Sequence, residues 1–271
     1  MFSGTDQNQG VVYGFGRFDI ASPAGSPGAY SYASQMLRNP AAPQLSNLAM
    51  NPVTGEMVLS YGFTGFRSIS TSGSLSDNLG TTATLYGMAY DASSQLYAYT
   101  TSGPDPVWLR LDPADGQTLT SGSLSPSVFM YSSLGGNLTG KAGGGFLYAD
   151  EMSGKRLYQL APSGANALLT LSGSFSGGSF DPNVFGTVMF TNGSLTYLLR
   201  GTSLFEVDVA SGALTELGGI SGLPAGFKQF TGAAAPITPV PEPASWSAAV
   251  LGLAGGAWLV GRVRPDGKRR S

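Results

Sequence analysis

The chain has 271 residues, of which 40 are Gly and 17 are Pro, and only 11% carry a charge. Such a length can bury a sizeable core, and many turn formers with few charges are typical of an all-β protein. The absence of Cys and His excludes disulfides, Cys/His zinc sites and Ser-His-Asp triads, and we predict no cofactor and no metal.

Charge is divided unevenly along the chain. Residues 1–240 contain 9 basic and 14 acidic side chains, a net charge of −5, whereas residues 241–271 contain 5 and 2, a net charge of +3. An acidic body does not attract phosphate backbones, so we expect no nucleic-acid partner. The basic end indicates a segment with a role of its own.

Between residues 1 and 231, an apolar strand that ends in a polar turn recurs along the chain. The equivalent positions in successive copies are Phe18, Ile69, Leu111, Leu160 and Val207, with spacings of 51, 42, 49 and 47 residues. A repeat of about 40 to 50 residues is typical of propeller blades.

Most repeats also carry two short apolar stretches around a polar turn, upstream of the recurring strand. They are residues 48–50 and 57–59, 88–90 and 96–98, and 188–190 and 195–198. The turns at 51–55 and 191–194 contain Asn and Gly, which accept positive φ and suit hairpins. Three or four strands per repeat predict an all-β extracellular body, residues 1–231, with about five β-propeller-like blades, to which upstream sequence would add a strand or a blade. A β-sandwich of irregular strands is the alternative fold.

Carboxylates are the remaining candidates for acid–base catalysis. Asp112 and Asp208 occupy equivalent turn positions in two repeats, where Asp accepts backbone N–H groups, so we predict a structural role for both. Asp150 and Glu151 are expected in a solvated loop, with a weak Ca²⁺ site as the alternative. The alternative function for the whole chain is a secreted carbohydrate-active enzyme, which a pair of Asp or Glu side chains about 5–9.5 Å apart in a deep cleft would indicate. A narrow channel lined by Gly, Ser and backbone groups would favour binding.

The body is followed by a Pro-rich stretch, residues 232–243, which favours an extended linker. Residues 244–260 carry no charge, and as a helix they would be about 25 Å long, just enough to cross a membrane. Trp246 and Trp258 lie near the ends of this run, and five basic residues follow it: Arg262, Arg264, Lys268, Arg269 and Arg270. Residues 244–271 therefore predict a transmembrane helix with a basic, cytoplasmic tail. The alternative is a buried Ala/Gly-rich helix of a soluble domain.

Val240, Pro241, Glu242 and Pro243, followed by the apolar run and the basic end, resemble the PEP-CTERM sorting signal. The resemblance implies export across the cytoplasmic membrane, temporary retention by the tail, and cleavage near the Pro-Glu-Pro motif by an exosortase, in bacteria that make exopolysaccharide. The body loosely resembles bacterial extracellular propeller-like proteins with Leu-Tyr-x-Leu-Asp-x-x-x-Gly blades, which implies no particular substrate.

These features predict an exported protein of the cell surface or the exopolysaccharide matrix, with a non-catalytic binding or structural role. The expected partners are an exosortase-type processing enzyme, the cytoplasmic membrane before processing, and exopolysaccharide. Residues 1–7 contain neither the basic nor the apolar stretch of a signal peptide. We therefore expect an export signal to be encoded upstream of this sequence.

Overall fold

A computed structural model describes residues 2–6, 10–20, 27–38, 47–61, 65–77, 79–81, 84–102, 105–126, 137–150, 155–177, 187–224 and 227–237. Within these ranges the chain is all-β, with twenty strands and no helix. The strands form five four-stranded antiparallel meanders, which we number 1 to 5. The prediction of an all-β body is confirmed.

Meander 1 combines both ends of the described chain, because β20 pairs with β1 and the sheet order is β20-β1-β2-β3. Its strands are β1 (Phe2–Asp6), β2 (Gly10–Arg17), β3 (Ser31–Arg38) and β20 (Phe227–Phe230). Meander 2 contains β4 (Leu48–Met50), β5 (Met57–Tyr61), β6 (Gly65–Ile69) and β7 (Gly80–Thr81). Meander 3 contains β8 (Gly87–Tyr90), β9 (Leu96–Ser102), β10 (Asp105–Leu111) and β11 (Thr118–Ser125).

Meander 4 contains β12 (Leu138–Gly140), β13 (Phe146–Asp150), β14 (Arg156–Ser163) and β15 (Asn166–Ser174). Meander 5 contains β16 (Thr187–Asn192), β17 (Leu195–Arg200), β18 (Ser203–Val207) and β19 (Leu214–Gly219). Meanders 3 and 4 form one eight-stranded sheet, because their outer strands β11 and β15 run parallel and pair over two residues each.

The recurring strand of the sequence is the third strand of each meander. Ile69, Leu111, Leu160 and Val207 lie on β6, β10, β14 and β18. Phe18 directly follows β2, which is third in the order of meander 1. The predicted repeat is therefore a structural repeat.

Five apolar clusters lie between successive meanders and close them into a ring. The clusters join meanders 1 and 2, 2 and 3, 3 and 4, 4 and 5, and 5 and 1. The first strands β4, β8, β12 and β16 contact one another in that order and form the inner wall. A β-sandwich buries one core between two sheets, whereas each sheet here packs against two neighbours, so the fold is propeller-like.

Both faces of a meander are buried, because the ring supplies a neighbour on either side. On β10, Leu109 and Leu111 pack toward meander 2, whereas Trp108 packs toward meander 4. Successive side chains of a strand point to opposite faces, which allows one strand to contribute to two clusters.

The same five-residue turn occurs at 51–55, 112–116 and 208–212. In each turn the amide of the final Gly donates to the carbonyl of the first residue, at 2.9, 2.7 and 2.8 Å, and this Gly has a φ between 73° and 78°. The first side chain, Asn51, Asp112 or Asp208, accepts the backbone N–H two residues on, at 2.8 to 2.9 Å. The structural role predicted for the two aspartates is confirmed, because each side chain satisfies turn amides.

Replacing Ser211 with Ala is expected to raise the pKa of Asp208. The Ser211 hydroxyl donates to Asp208 Oδ2 at 2.7 Å and the Ala210 amide donates to Oδ1 at 2.9 Å. These hydrogen bonds favour the charged form and hold the pKa of Asp208 below its usual range. Since the folded pKa is lowered, this carboxylate stabilises the fold above the unfolded pKa of about 3.9, and the contribution is lost as pH falls through the folded value.

An NMR titration that follows the carboxyl carbon of Asp208 measures this effect directly. In Ser211→Ala the titration midpoint should move up toward the ordinary value, whereas Ser211→Thr keeps the hydroxyl and should leave the midpoint in place. An unchanged midpoint in Ser211→Ala would show that the hydroxyl is not the principal cause.

Candidate functional site

The axis of the ring is filled by the chain itself. Residues 233–237, which we call the axial segment, leave meander 1 and cross beside the inner strands β4, β8 and β12. The Gly193 amide donates to the Pro236 carbonyl at 2.7 Å, and Ile237 forms a parallel bridge with Gly193. The Ile237 side chain is only 5% exposed, and the space left beside it is about 20 Å³. Among the described residues, the axial segment therefore occupies most of the space between these inner strands.

This position differs from the linker predicted for residues 232–243. The described part of that stretch, residues 232–237, belongs to the compact body and lines its cavities. The physical reason is that Ile237 and the neighbouring alanines are apolar and fill space between inner strands, which offsets the extended preference of the prolines. Residues 238–243 lie outside the described residues.

A larger cavity of about 380 Å³, the ring-face pocket, lies between meanders 1, 2 and 5 and the axial segment. Its walls are mainly aromatic and aliphatic and include Phe15, Phe18, Tyr30, Met50, Phe190 and Phe230. Phe18 meets Phe190 edge-on, with ring centroids 6.3 Å apart and an interplanar angle of 82°. Strand β2, the third strand of meander 1, ends at Arg17 beside the pocket. Phe18 follows it directly, so the equivalent position of the repeat lines the pocket in this meander.

Four polar side chains line the ring-face pocket together with the mainly apolar walls. Arg17 and Asp19 are exposed and flank Phe18 in sequence, Thr71 is exposed, and Asn192 is half-buried at the end of β16. A mostly apolar cavity with a few polar groups is typical of ligand binding. Among the described residues that line this pocket, Asp19 is the carboxylate, whereas glycoside cleavage by the usual route needs two.

The structure describes Asp150 of the predicted Asp150–Glu151 pair. Asp150 is 2% exposed and ends β13, opposite Arg156 on β14, so it does not lie in a solvated loop. The strand continues further than expected, which places this carboxylate inside the sheet. Glu151 lies outside the described residues. Among the residues that are described, no three Asp or Glu side chains are grouped as metal ligands.

Two buried asparagines precede inner strands, and sequence reasoning did not identify either as a structural residue. Asn47 Nδ2, before β4, donates to Ser60 Oγ and to the Leu85 carbonyl, both at 3.0 Å. Asn137 Oδ1, before β12, accepts the Tyr99 hydroxyl at 2.8 Å. Each amide links its own meander to meander 3. The sequence signal was the repeated Asn-Leu pair at equivalent positions, residues 47–48 and 137–138.

The predicted sorting and membrane residues lie outside the described residues. These are Val240, Pro241, Glu242 and Pro243 of the motif, Trp246 and Trp258 of the apolar run, and Arg262, Arg264, Lys268, Arg269 and Arg270 of the basic end. In the portion of the chain that is described, no helix is long and apolar enough to span a bilayer.

No protein-family model matches the chain, and no curated protein matches it in sequence. Among solved structures, the chain is similar to a putative gluconolactonase, with 14% identity over 74% of this chain and 70% of that one and a TM-score of 0.44. A gluconolactonase from Xanthomonas campestris shares 15% identity over 79% and 86% of the chains, with a TM-score of 0.41. An inactive virginiamycin B lyase from Staphylococcus aureus shares 13% over 82% and 74%, with a TM-score of 0.41. The similarity is distant, and the fold assignment above follows from strand order and the five interfaces alone.

Proposed function

We propose that the chain is an exported protein of the cell surface or exopolysaccharide matrix, whose body is a five-bladed propeller that binds a ligand and catalyses no reaction. The observation that carries the binding role is the ring-face pocket, whose described lining combines aromatic walls with one carboxylate, Asp19. Apolar walls stabilise a bound molecule by removing its surface from water, whereas the one carboxylate of the described lining supplies half of an acid–base pair.

The export part of the proposal is supported by the order of features in the tail. The Val-Pro-Glu-Pro motif at 240–243 is followed by an uncharged run long enough to span a bilayer and then by five basic residues. The five Lys and Arg residues that follow the apolar run favour a cytoplasmic C-terminus. In this proposal an exosortase-type enzyme cleaves near the motif and releases the body from the membrane to the surface or the matrix.

Replacing the motif 241–243 by three alanines is expected to hold the body in the membrane fraction. The protein is expressed with a signal peptide in a bacterium that contains an exosortase, and the body is followed by immunoblotting of membrane and extracellular fractions. The unaltered chain should appear mostly outside the membrane at a reduced mass, because cleavage removes the apolar run, whereas the variant should keep its full mass and stay in the membrane.

The matched control replaces residues 265–267, Pro-Asp-Gly, by three alanines. This change has the same size and also removes one Pro and one acidic side chain, but it lies on the far side of the apolar run, so release should be unchanged. Equal release of the body from the 241–243 variant and the unaltered chain would overturn processing at the motif.

A further inference from the structure

A second cavity opens between meanders 2 and 3 and has a different chemical character from the ring-face pocket. This hydroxyl cleft has a volume of about 670 Å³ and meets the ring-face pocket at Met57 and Thr71, which line both. The turn at 51–55 and the loop between β6 and β7 form its walls, Tyr90 of β8 lies inside, and the turn after β10 contributes Pro113 and Ala114.

Hydroxyl groups dominate one wall of the cleft. Every second residue from 68 to 76 is a serine, and Ser68, Ser70, Ser74 and Ser76 all line the cavity. Hydrogen bonds within the loop hold them in place: Ser70 Oγ accepts the Ser74 amide at 3.0 Å, and Ser76 Oγ accepts the Ser68 amide at 3.0 Å. A hydroxyl both donates and accepts, which matches a ligand whose own groups are hydroxyls.

Tyr90 supplies a buried polar group to the same cleft. The residue is 3% exposed, and no hydrogen bond ties its hydroxyl to another of the described residues. Burial, with a smaller contribution from the Glu56 carboxylate, raises the pKa of Tyr90 to about 12. At neutral pH the phenol therefore keeps its proton and can donate it in a hydrogen bond.

Among the described residues that line the hydroxyl cleft, Glu56 is the charged one. Its carboxylate accepts the Thr54 hydroxyl at 3.1 Å and retains lone pairs for a ligand, because an ionised carboxylate has about four acceptor sites. The described lining contains no Lys or Arg. Arg67 lies behind the serine wall, where its guanidinium donates to the Ser76 carbonyl at 2.9 Å. A phosphate or carboxylate ligand would meet the Glu56 carboxylate directly, whereas this guanidinium is already bound to the backbone, so the charge of the lining favours a neutral ligand.

The remaining wall of the cleft is apolar and can cover the C–H face of a ring-shaped ligand. Val58, Ile69, Leu75 and Leu79 contribute to it. Hydroxyls on one side and aliphatic groups on the other suit a molecule with equatorial hydroxyls and an apolar ring face. We propose that the hydroxyl cleft binds a neutral saccharide unit. The inference deepens the proposed binding function and rests on it.

Binding is measured by calorimetry and saturation-transfer NMR on the full chain, held in solution by a polyoxyethylene detergent that has no sugar head group. The probes are D-glucose, D-galactose and D-mannose, the neutral polymer dextran, and D-glucuronate as the charged counterpart of glucose. Saturable binding of a free hexose or of dextran is expected, with D-glucuronate weaker than D-glucose. Binding of dextran alone would assign the unit to a polymer chain, and binding of the hexoses alone would assign it to a free sugar.

Tyr90→Phe removes one donor and should weaken binding by about three- to tenfold. Glu56→Gln removes the charge from the acceptor and should weaken it by about tenfold. The matched controls are Tyr197→Phe and Glu206→Gln in meander 5, where burial and the nearby Glu206 also raise the pKa of a buried Tyr. These controls lie outside the cleft lining and should bind like the unaltered chain.

Absence of saturable binding to all the neutral probes would overturn the proposal, as would equal weakening in the meander 5 controls or equal affinity for D-glucuronate and D-glucose. Thermal unfolding midpoints of all variants show whether a loss of binding comes from a loss of fold. The outcome is independent of the fractionation result, because release of the body depends on residues 241–243 and saccharide binding depends on Tyr90 and Glu56. A failure here therefore leaves the export part of the proposed function untouched.

Discussion

Replacing Phe146 with Ala is expected to lower the free energy of unfolding by about 4 kcal/mol. Phe146 is fully buried between meanders 3 and 4, where its ring meets those of Tyr97 and Trp108 edge-on, with centroid distances of 5.1 and 5.3 Å. Tyr97 and Trp108 stack on each other at 5.4 Å, with an interplanar angle of 18°. Truncation removes the shared partner of both rings and leaves a cavity that the rigid sheets cannot close.

The free energy is measured by denaturant unfolding followed by tryptophan fluorescence and by far-ultraviolet circular dichroism. Leu119→Ala on β11 is the control, because this Leu is 51% exposed and its truncation should change the free energy by no more than about 0.5 kcal/mol. A loss below about 1 kcal/mol in Phe146→Ala would show that the aromatic cluster is not a principal contact between meanders 3 and 4.

Replacing Gly140 with Ala is expected to cost about 3 kcal/mol, although it adds a single methyl group. A Cβ at this position would overlap the backbone oxygen of Tyr90 on β8 and would lie 2.5 Å from Ile237 Cδ1 of the axial segment. Ile237 can rotate, but the Tyr90 carbonyl belongs to a hydrogen-bonded inner strand and cannot move alone. The inner strands β8 and β12 would have to separate, which weakens the apolar contacts between meanders 3 and 4.

Gly219→Ala is the matched control for this prediction. Gly219 ends β19, no atom lies within 4 Å of its added Cβ, and the substitution should change the unfolding midpoint little. The double variant Gly140→Ala with Ile237→Ala should be less destabilised than the sum of the two single changes, because the second change removes one of the two overlaps. If the destabilisation of the double variant equalled the sum of the two single changes, the predicted overlap between the added Cβ and Ile237 would be wrong.

Much of the local structure was predictable from the sequence because it depends on a few adjacent residues. The hairpin turn at 51–55 was recognisable from Asn51 and Gly55, since Asn caps a turn with its side chain and Gly accepts the positive φ of 73°. The structural role of Asp112 and Asp208 was predictable for the same reason. The spacing of the third strands also indicated repeating units of similar length, between 42 and 51 residues.

The candidate sites were predictable only in part. Phe18 was identified as the equivalent position in the first copy of the repeat, but its place in the ring-face pocket depends on Phe190 and Phe230, which are distant in sequence. The serine repeat at 68–76 was visible in the sequence, yet its meaning depends on Tyr90 of the next meander. The sequence analysis assigned no structural role to Asn47 or Asn137, because burial is not a local property.

The sequence by itself determined the strands, the turns, the repeat, and the charge and hydrophobic pattern of the tail, since each arises from the conformational preferences or transfer free energies of neighbouring residues. The tertiary structure alone decided that β1 pairs with β20, that each sheet buries both faces, and that residues 233–237 fill the axis. Pro236 and Pro239 favour an extended chain wherever they occur. Whether such a chain stays in water or packs depends on the space that the inner strands of several meanders leave for Ile237.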